Sequence, residues 1–256
     1  MATMSKSAFD HWFAGSVVTG PQGHPKRLYH GTRSPVDFEV FEVGTQRDEN
    51  EDVLISGSRD PGAYLGIHLA ESALMASKFA EGRAAAWDRA RFIREDTGGR
   101  MIPVYLAARR PKVFGSEHEL LDFVYEHGSS SEIESYLEAY DRLDEEGRAV
   151  DEQGDPMSPR EAAEWAFGLA NRYDNSESDT YETISFELGV SARNALLDQG
   201  YDSVRYKNEI ERVGRESPWC WIALVPGSIK SAVGNRGTWD AEDPSIVHAY
   251  RARRSR

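Results

Sequence analysis

The sequence predicts an α+β fold in which a helical block is inserted into a mixed sheet. Three observations carry this. Short apolar or alternating runs of strand length stand near residues 27–29, 64–69, 101–107, 203–207 and 219–225. Residues 116–174 change character, becoming acidic with helical periodicity and few β-branched side chains. Clusters of Gly, Pro, Asp, Asn and Ser punctuate the runs. No internal repeat or low-complexity tract interrupts the pattern.

Taken in order, Phe9, Trp12 and Phe13 suit a short N-terminal helix that docks on the body. A strand at 27–29 ends at His30-Gly31. Residues 44–62, closed by Pro61-Gly62, read as a long mobile loop. A strand follows at 64–69, then a helix at 72–94 with Leu74, Met75, Phe79, Trp87 and Phe92 available to the core. Thr97-Gly98-Gly99 breaks it, and a strand at 101–107 is stopped by Arg110-Pro111. Helices are expected at 119–127, 131–148 and 158–173. The last starts with serine at the N-cap, proline at the first helical position and an acid in the first turn, in Ser158-Pro159-Arg160-Glu161. Gly154-Asp155-Pro156 and residues 174–179 are linkers, 191–199 is one more helix closed by Gly200, and two strands end the domain.

The chain of 256 residues carries a formal charge of −13, which argues against broad attraction to nucleic acid, since that rests on neutralising phosphates. The exception is the basic end at 251–256, expected to be a solvated tail. A single cysteine, Cys220, excludes an intramolecular disulfide or a cysteine-built zinc cluster, and is expected to pack rather than react. No metal-ligand spacing and no glycine-rich phosphate loop is present. No stretch approaches the ~18 consecutive apolar residues of a membrane span, and the start lacks the order of a secretory signal. The expectation is a soluble, cytoplasmic protein with no membrane partner. Its boundaries are an N-terminal segment at 1–26, a domain at 27–240 with the helical insertion at about 116–180, and a tail at 241–256.

Four segments stand in a telling order: Leu28-Tyr29-His30-Gly31-Thr32; Gly66-Ile67-His68-Leu69-Ala70 opening a helical run; Gly200 through Glu211; and Trp221-Ile222-Ala223-Leu224 followed by Ile229-Lys230-Ser231. Their sequence and spacing resemble the ADP-ribosyltransferase superfamily, most of all the divergent branch of phage polyvalent proteins and bacterial effectors. The resemblance covers about residues 27–110 and 195–240, and implies a split, mostly antiparallel sheet.

It also implies a chemistry. ADP-ribosyl transfer breaks the bond between nicotinamide and ribose in NAD through an oxocarbenium-like transition state, so the enzyme must anchor the dinucleotide and place negative charge near the reacting ribose. In the superfamily a histidine bonds the adenosine ribose and the following glycine backbone receives the nicotinamide amide. His30, Gly31 and Thr32 match that motif. Only a residue without a side chain lets the backbone come that close to a flat amide. A tyrosine usually stacks on the nicotinamide; here His68 stands in its place, and Tyr64, four residues earlier on the same expected strand, is a candidate to supply aromatic surface. A glutamate usually precedes the strand matched by Trp221 to Leu224, yet Trp219 and Cys220 hold those positions. The nearest candidates for the carboxylate are Glu211 and, behind it, Glu209, with Glu216 further along.

The resemblance therefore implies a mono-ADP-ribosyltransferase that consumes NAD, needs no metal, and modifies a protein or nucleic acid, as a phage protein, toxin or effector. Two alternatives stay open: NAD hydrolysis or an RNA 2′-phosphotransferase-like reaction on the same fold, and a catalytically silent nucleotide-binding or assembly module.

Overall fold

The computed structural model describes residues 7–32, 39–41, 46–47, 53–54, 60–80, 99–173, 180–209, 214, 218–235 and 239–247. In chain order its elements are α1 (Ala8–Phe13), β1 (Leu28–Thr32), β2 (Gln46–Arg47), β3 (Val53–Leu54), β4 (Ile67–Ala70), α2 (Ala73–Ala80), β5 (Arg100–Leu106), β6 (Pro111–Phe114), α3 (Glu117–His127), α4 (Ser131–Ala139), α5 (Pro159–Tyr173), α6 (Thr180–Asp198), β7 (Ser203–Lys207), β8 (Trp219–Ala223) and β9 (Ile229–Ser231). Short 3-10 turns sit at Pro61–Tyr64 and Pro226–Ser228. Contacts group these into two compact units. One comprises residues 1–43, 67–116 and 200–256, and the other residues 44–66 and 117–199.

The first unit holds a seven-stranded sheet in the order β6-β7-β8-β4-β1-β5-β9, antiparallel except for the β6–β7 pair. The fold is α+β, as the sequence predicts. Side chains alternate along each strand, so Leu28, Ile67, Leu69, Val104, Leu106, Trp221, Ala223 and Ile229 meet in one buried cluster with Val18, Phe41 and Ile246. The N-terminal helix docks as expected. Ser7 and Asp10 form a reciprocal capping box at its start, and Trp12 and Phe13 bury against Ala107. Trp12 donates its indole N–H to the Gly227 carbonyl at 3.2 Å. Helix α2 is capped by the Ser72 hydroxyl, which accepts the Met75 N–H at 3.3 Å. The part of the expected 72–94 helix beyond Ala80, with Trp87 and Phe92, lies outside the described residues.

The second unit contains the four helices α3 to α6. Four features differ from the sequence reading, the first being the strand β6, which follows Arg110 where only the end of the preceding strand was expected. Residues 64–69 are not one strand: Pro61–Tyr64 is a 3-10 turn and the strand begins at Ile67. The cause is local, since Asp60 caps the turn through Gly62 N–H at 2.9 Å and proline starts it. The helix expected at 131–148 stops at Ala139, where Asp141 takes a positive φ of 53° and the chain turns back through the bridges Leu143↔Ala149 and Val150↔Pro156. The helix expected at 191–199 is instead the end of α6, which starts at Thr180. Within 44–62, Gln46–Arg47 pairs with Val53–Leu54. Among the described residues no helix is long and apolar enough to cross a membrane.

Candidate active site at the split of the sheet

The sheet is divided at its middle. Strand β1 shares five partnered positions with β5, and β4 shares four with β8, but β1 and β4 share only Tyr29↔Ala70. The half-sheets β6-β7-β8-β4 and β1-β5-β9 therefore part beyond this pair, where Gly31 and Thr32 lie on one side and Ile67 and His68 on the other. A hollow of about 330 Å³, counted out to open solvent, occupies this place and is lined by Tyr29, His30, Gly31, His68, Ala76, Phe79, Tyr206 and Cys220. The structure thus brings His30, Gly31 and His68 together, as the motif order implies.

His30 bridges the split. Its Nδ1 lies 2.9 Å from the His68 carbonyl oxygen. A carbonyl can only accept, so Nδ1 carries the proton and Nε2 is left as the acceptor. Burial of the ring lowers the His30 pKa below 6.5, and the backbone bond to His68, which raises it, does not compensate. The imidazole is accordingly neutral near pH 7. The edge of Phe41 meets its ring at a centroid distance of 4.9 Å and 77°. A neutral imidazole with its acceptor nitrogen fixed in direction is suited to receive a sugar hydroxyl proton.

Gly31 is glycine for a reason the sequence does not display. A Cβ there would stand 2.0 Å from the Ala76 carbonyl oxygen of α2, well inside any allowed contact. The helix backbone lies directly on β1, and this close approach shapes the floor of the hollow. Thr32 closes β1, paired with Arg100.

His68 stands on β4 opposite Ile222. Its neighbours Ile67 and Leu69 enter the core cluster, so alternation sends its ring to the other face. There it meets Tyr206: His68 Nδ1 lies 3.3 Å from the phenol oxygen and the rings stand edge to face at 6.2 Å. This corrects the reading of Tyr64. Tyr64 lies in the 3-10 turn of the second unit with its ring against Phe186 at 5.5 Å, and the aromatic neighbour given to His68 is Tyr206. The alternation Val204, Tyr206 in the sequence was the signal for it.

Of the candidate acids, Glu209 is exposed directly after β7, next to the buried Asn208, whose N–H bonds the Pro218 carbonyl at 2.7 Å. Glu211 and Glu216 lie outside the described residues. Cys220 is buried with its sulfur 3.3 Å from that of Met75, consistent with packing. A carboxylate that sequence reasoning passed over is Glu71, directly after β4. Its side chain is 4% exposed and accepts bonds from Lys26, from Trp221 Nε1 at 3.0 Å and from Arg205 Nη2 at 3.2 Å.

A family model described as ADP-ribosyltransferase in polyvalent proteins matches residues 21–239. The chain belongs to this ADP-ribosyltransferase family. No curated protein and no solved structure matches it. The split sheet is thus the ADP-ribosyltransferase sheet of this chain, and His30-Gly31-Thr32 stands on the first strand of its split. The family takes NAD as substrate and passes ADP-ribose to an acceptor.

Proposed function

We infer that this chain is a mono-ADP-ribosyltransferase, transferring ADP-ribose from NAD to a protein or nucleic acid. The observation that carries the reading is the His30–Gly31 pair at the split, with its imidazole kept neutral by burial and held in one tautomer by the His68 carbonyl. His30 Nε2 accepts a hydroxyl of the adenosine ribose, and the Gly31 backbone and Thr32 receive the nicotinamide end. His68, backed by Tyr206, offers a flat ring to the nicotinamide or its ribose. The bond between the ribose C1′ and the nicotinamide nitrogen breaks, and its electron pair leaves with neutral nicotinamide. The positive charge left on the ribose is stabilised by a carboxylate, Glu211 or Glu209, while the acceptor attacks C1′ and loses its proton. No step is assigned to a metal ion. The setting that fits a polyvalent-protein relative is a phage protein, toxin or effector acting in the cytoplasm of its target cell.

The test is nicotinamide release from NAD by the purified protein, with and without a cell lysate as acceptor. Release that rises with lysate, together with labelled macromolecules, is the expected result, and His30→Ala should reduce it by at least ~100-fold, a range set by losing one transition-state contact and the anchor. Unchanged turnover in His30→Ala would remove this site from the mechanism. Release without any labelled acceptor would assign NAD hydrolysis instead.

One observation favours a second reading. Trp219 and Cys220 occupy the positions where a carboxylate is expected, and Cys220 is committed to packing on Met75. NAD binding without release at any concentration would make the chain a silent nucleotide-binding module.

A further inference from the structure

We propose that Glu71 and Lys26 are positioning residues for the NAD site, forming a clasp that sets how far the two half-sheets part. The argument rests on the proposed NAD-binding role of the split, and begins with the weakness of the joint. Tyr29↔Ala70 is the one ladder position that β1 and β4 share. In the antiparallel register this pair acts as a fulcrum. On one side of it lie His30, Gly31 and His68 with the hollow; on the other lie Lys26 and Glu71.

The clasp is unevenly shared between the halves. Glu71 follows β4, and its backbone N–H continues the β4–β8 ladder by bonding the Trp219 carbonyl at 3.2 Å. Arg205 is on β7 and Trp221 on β8, so three of the four groups belong to one half-sheet. Lys26, two residues before β1, is the member that reaches across from the other half, and its ammonium bonds Glu71 Oε2. Glu71 is almost fully buried while Lys26 and Arg205 are about one-third exposed. A buried carboxylate held by two cations and an indole has little freedom to give up one donor, because the charge would be left short of partners in a low dielectric. Burial alone would raise the Glu71 pKa; the bonds from Lys26 and Trp221 and the two nearby cations outweigh it and hold the group ionised.

At the other side of the fulcrum, His30 Nδ1 bonds the His68 carbonyl across the joint at 2.9 Å. With the two half-sheets sharing one ladder position, loosening the tie on one side of it is transmitted to the hollow on the other. Ligand affinity then depends on Lys26 although it is absent from the lining of the hollow.

The experiment uses the full chain with Lys26→Met and Lys26→Arg. Lys26 is partly exposed, so both are expected to fold. Spin labels at Met101→Cys on β5 and Val113→Cys on β6, both exposed positions on opposite half-sheets, report the separation by pulsed dipolar spectroscopy. In Lys26→Met the distance distribution should shift or broaden, and the NAD dissociation constant should rise about tenfold. Turnover at saturating NAD should change by less than about threefold. Lys26→Arg should restore both. A control substitution in the same core, Ile229→Val, lowers thermal stability and should leave the distance and the affinity unchanged. An unchanged distance distribution in Lys26→Met overturns the clasp, whatever NAD does. Wild-type protein that fails to bind NAD overturns the functional reading, while the spectroscopic arm still decides the clasp. A loss in turnover with unaltered affinity would also sink the positioning role.

Discussion

At the scale of single residues, the histidine at the split makes the sharpest statement about pH. His30 has its pKa lowered from 6.5 by burial, so the native chain holds it neutral where an unfolded chain would begin to take up a proton. A depressed histidine contributes stability that is present above pH 6.5 and lost as pH falls below it, because the unfolded state then binds more protons. Ligand affinity follows the same group differently. The neutral imidazole is the binding form, so NAD affinity should be flat from pH 8 to 6.5 and decline only at lower pH. Titration of NAD binding against pH checks this; a decline centred at or above 6.5 would mean that His30 is not the anchor. His30, Gly31 and Thr32 were legible in the sequence because they are contiguous and carry a motif. Tyr206 and Glu71 were not, although both touch or brace the same place. Strand register delivers them from other parts of the chain, and a glutamate between an apolar strand and a helix start reads locally as an exposed acid.

Elements were legible in proportion to how one-sided their burial is. The strands β5 and β8 were predicted close to their observed bounds because each carries apolar residues facing one core cluster, and β7 because Val204 and Tyr206 alternate on one buried face. Helix α6 was seen only at its C-terminal end. Its buried residues Ile184, Ser185, Phe186, Leu188, Gly189, Ala192 and Leu196 surround much of its circumference, which erases the periodic signal. Gly189 sits within it because a Cβ would stand 2.3 Å from the Pro61 carbonyl oxygen, so the 3-10 turn packs on the bare helix backbone. At the start of α3, Glu117 is pushed up to about 7 by burial and by the charge of Asp60. Its Oε2 is buried without a hydrogen-bond partner. A raised carboxylate favours the folded state below its unfolded value of 4.5, and that stability is lost as pH rises through 7. The favourable helix dipole at this position, about 0.3–1 kcal/mol, is too small to cancel the burial. Glu117→Gln should therefore stabilise the protein by on the order of 1–2 kcal/mol at pH 8, discounted for partial exposure, and by close to nothing at pH 4.5. Thermal melts at the two pH values measure it. An equal effect at both would show that Glu117 ionises normally.

The whole molecule bears on the acceptor, the one partner that the family does not name. The first unit is a sheet with its split, and the second unit carries the four helices α3 to α6 and is rich in acids from Glu117 to Glu187. Across the chain 43 acidic residues face 30 basic ones, giving −13. A protein of this balance has a repulsive long-range field for a phosphate backbone, so encounter with an extended duplex gains nothing from counterion release. An acceptor that is a protein, or a small exposed position on a nucleic acid, meets only a local surface and avoids that penalty. The salt dependence of acceptor engagement separates the cases. A protein neutralising Z phosphates shows a slope of about −0.9Z in log affinity against log salt concentration. For this chain and a double-stranded oligonucleotide the slope between about 50 and 200 mM salt should not exceed about 2 in magnitude, equivalent to no more than two phosphate contacts. Transfer to the acceptor should be correspondingly insensitive to salt. A slope near −6 would require a concentrated cationic surface, and would turn the search for the acceptor from proteins to nucleic acid duplexes.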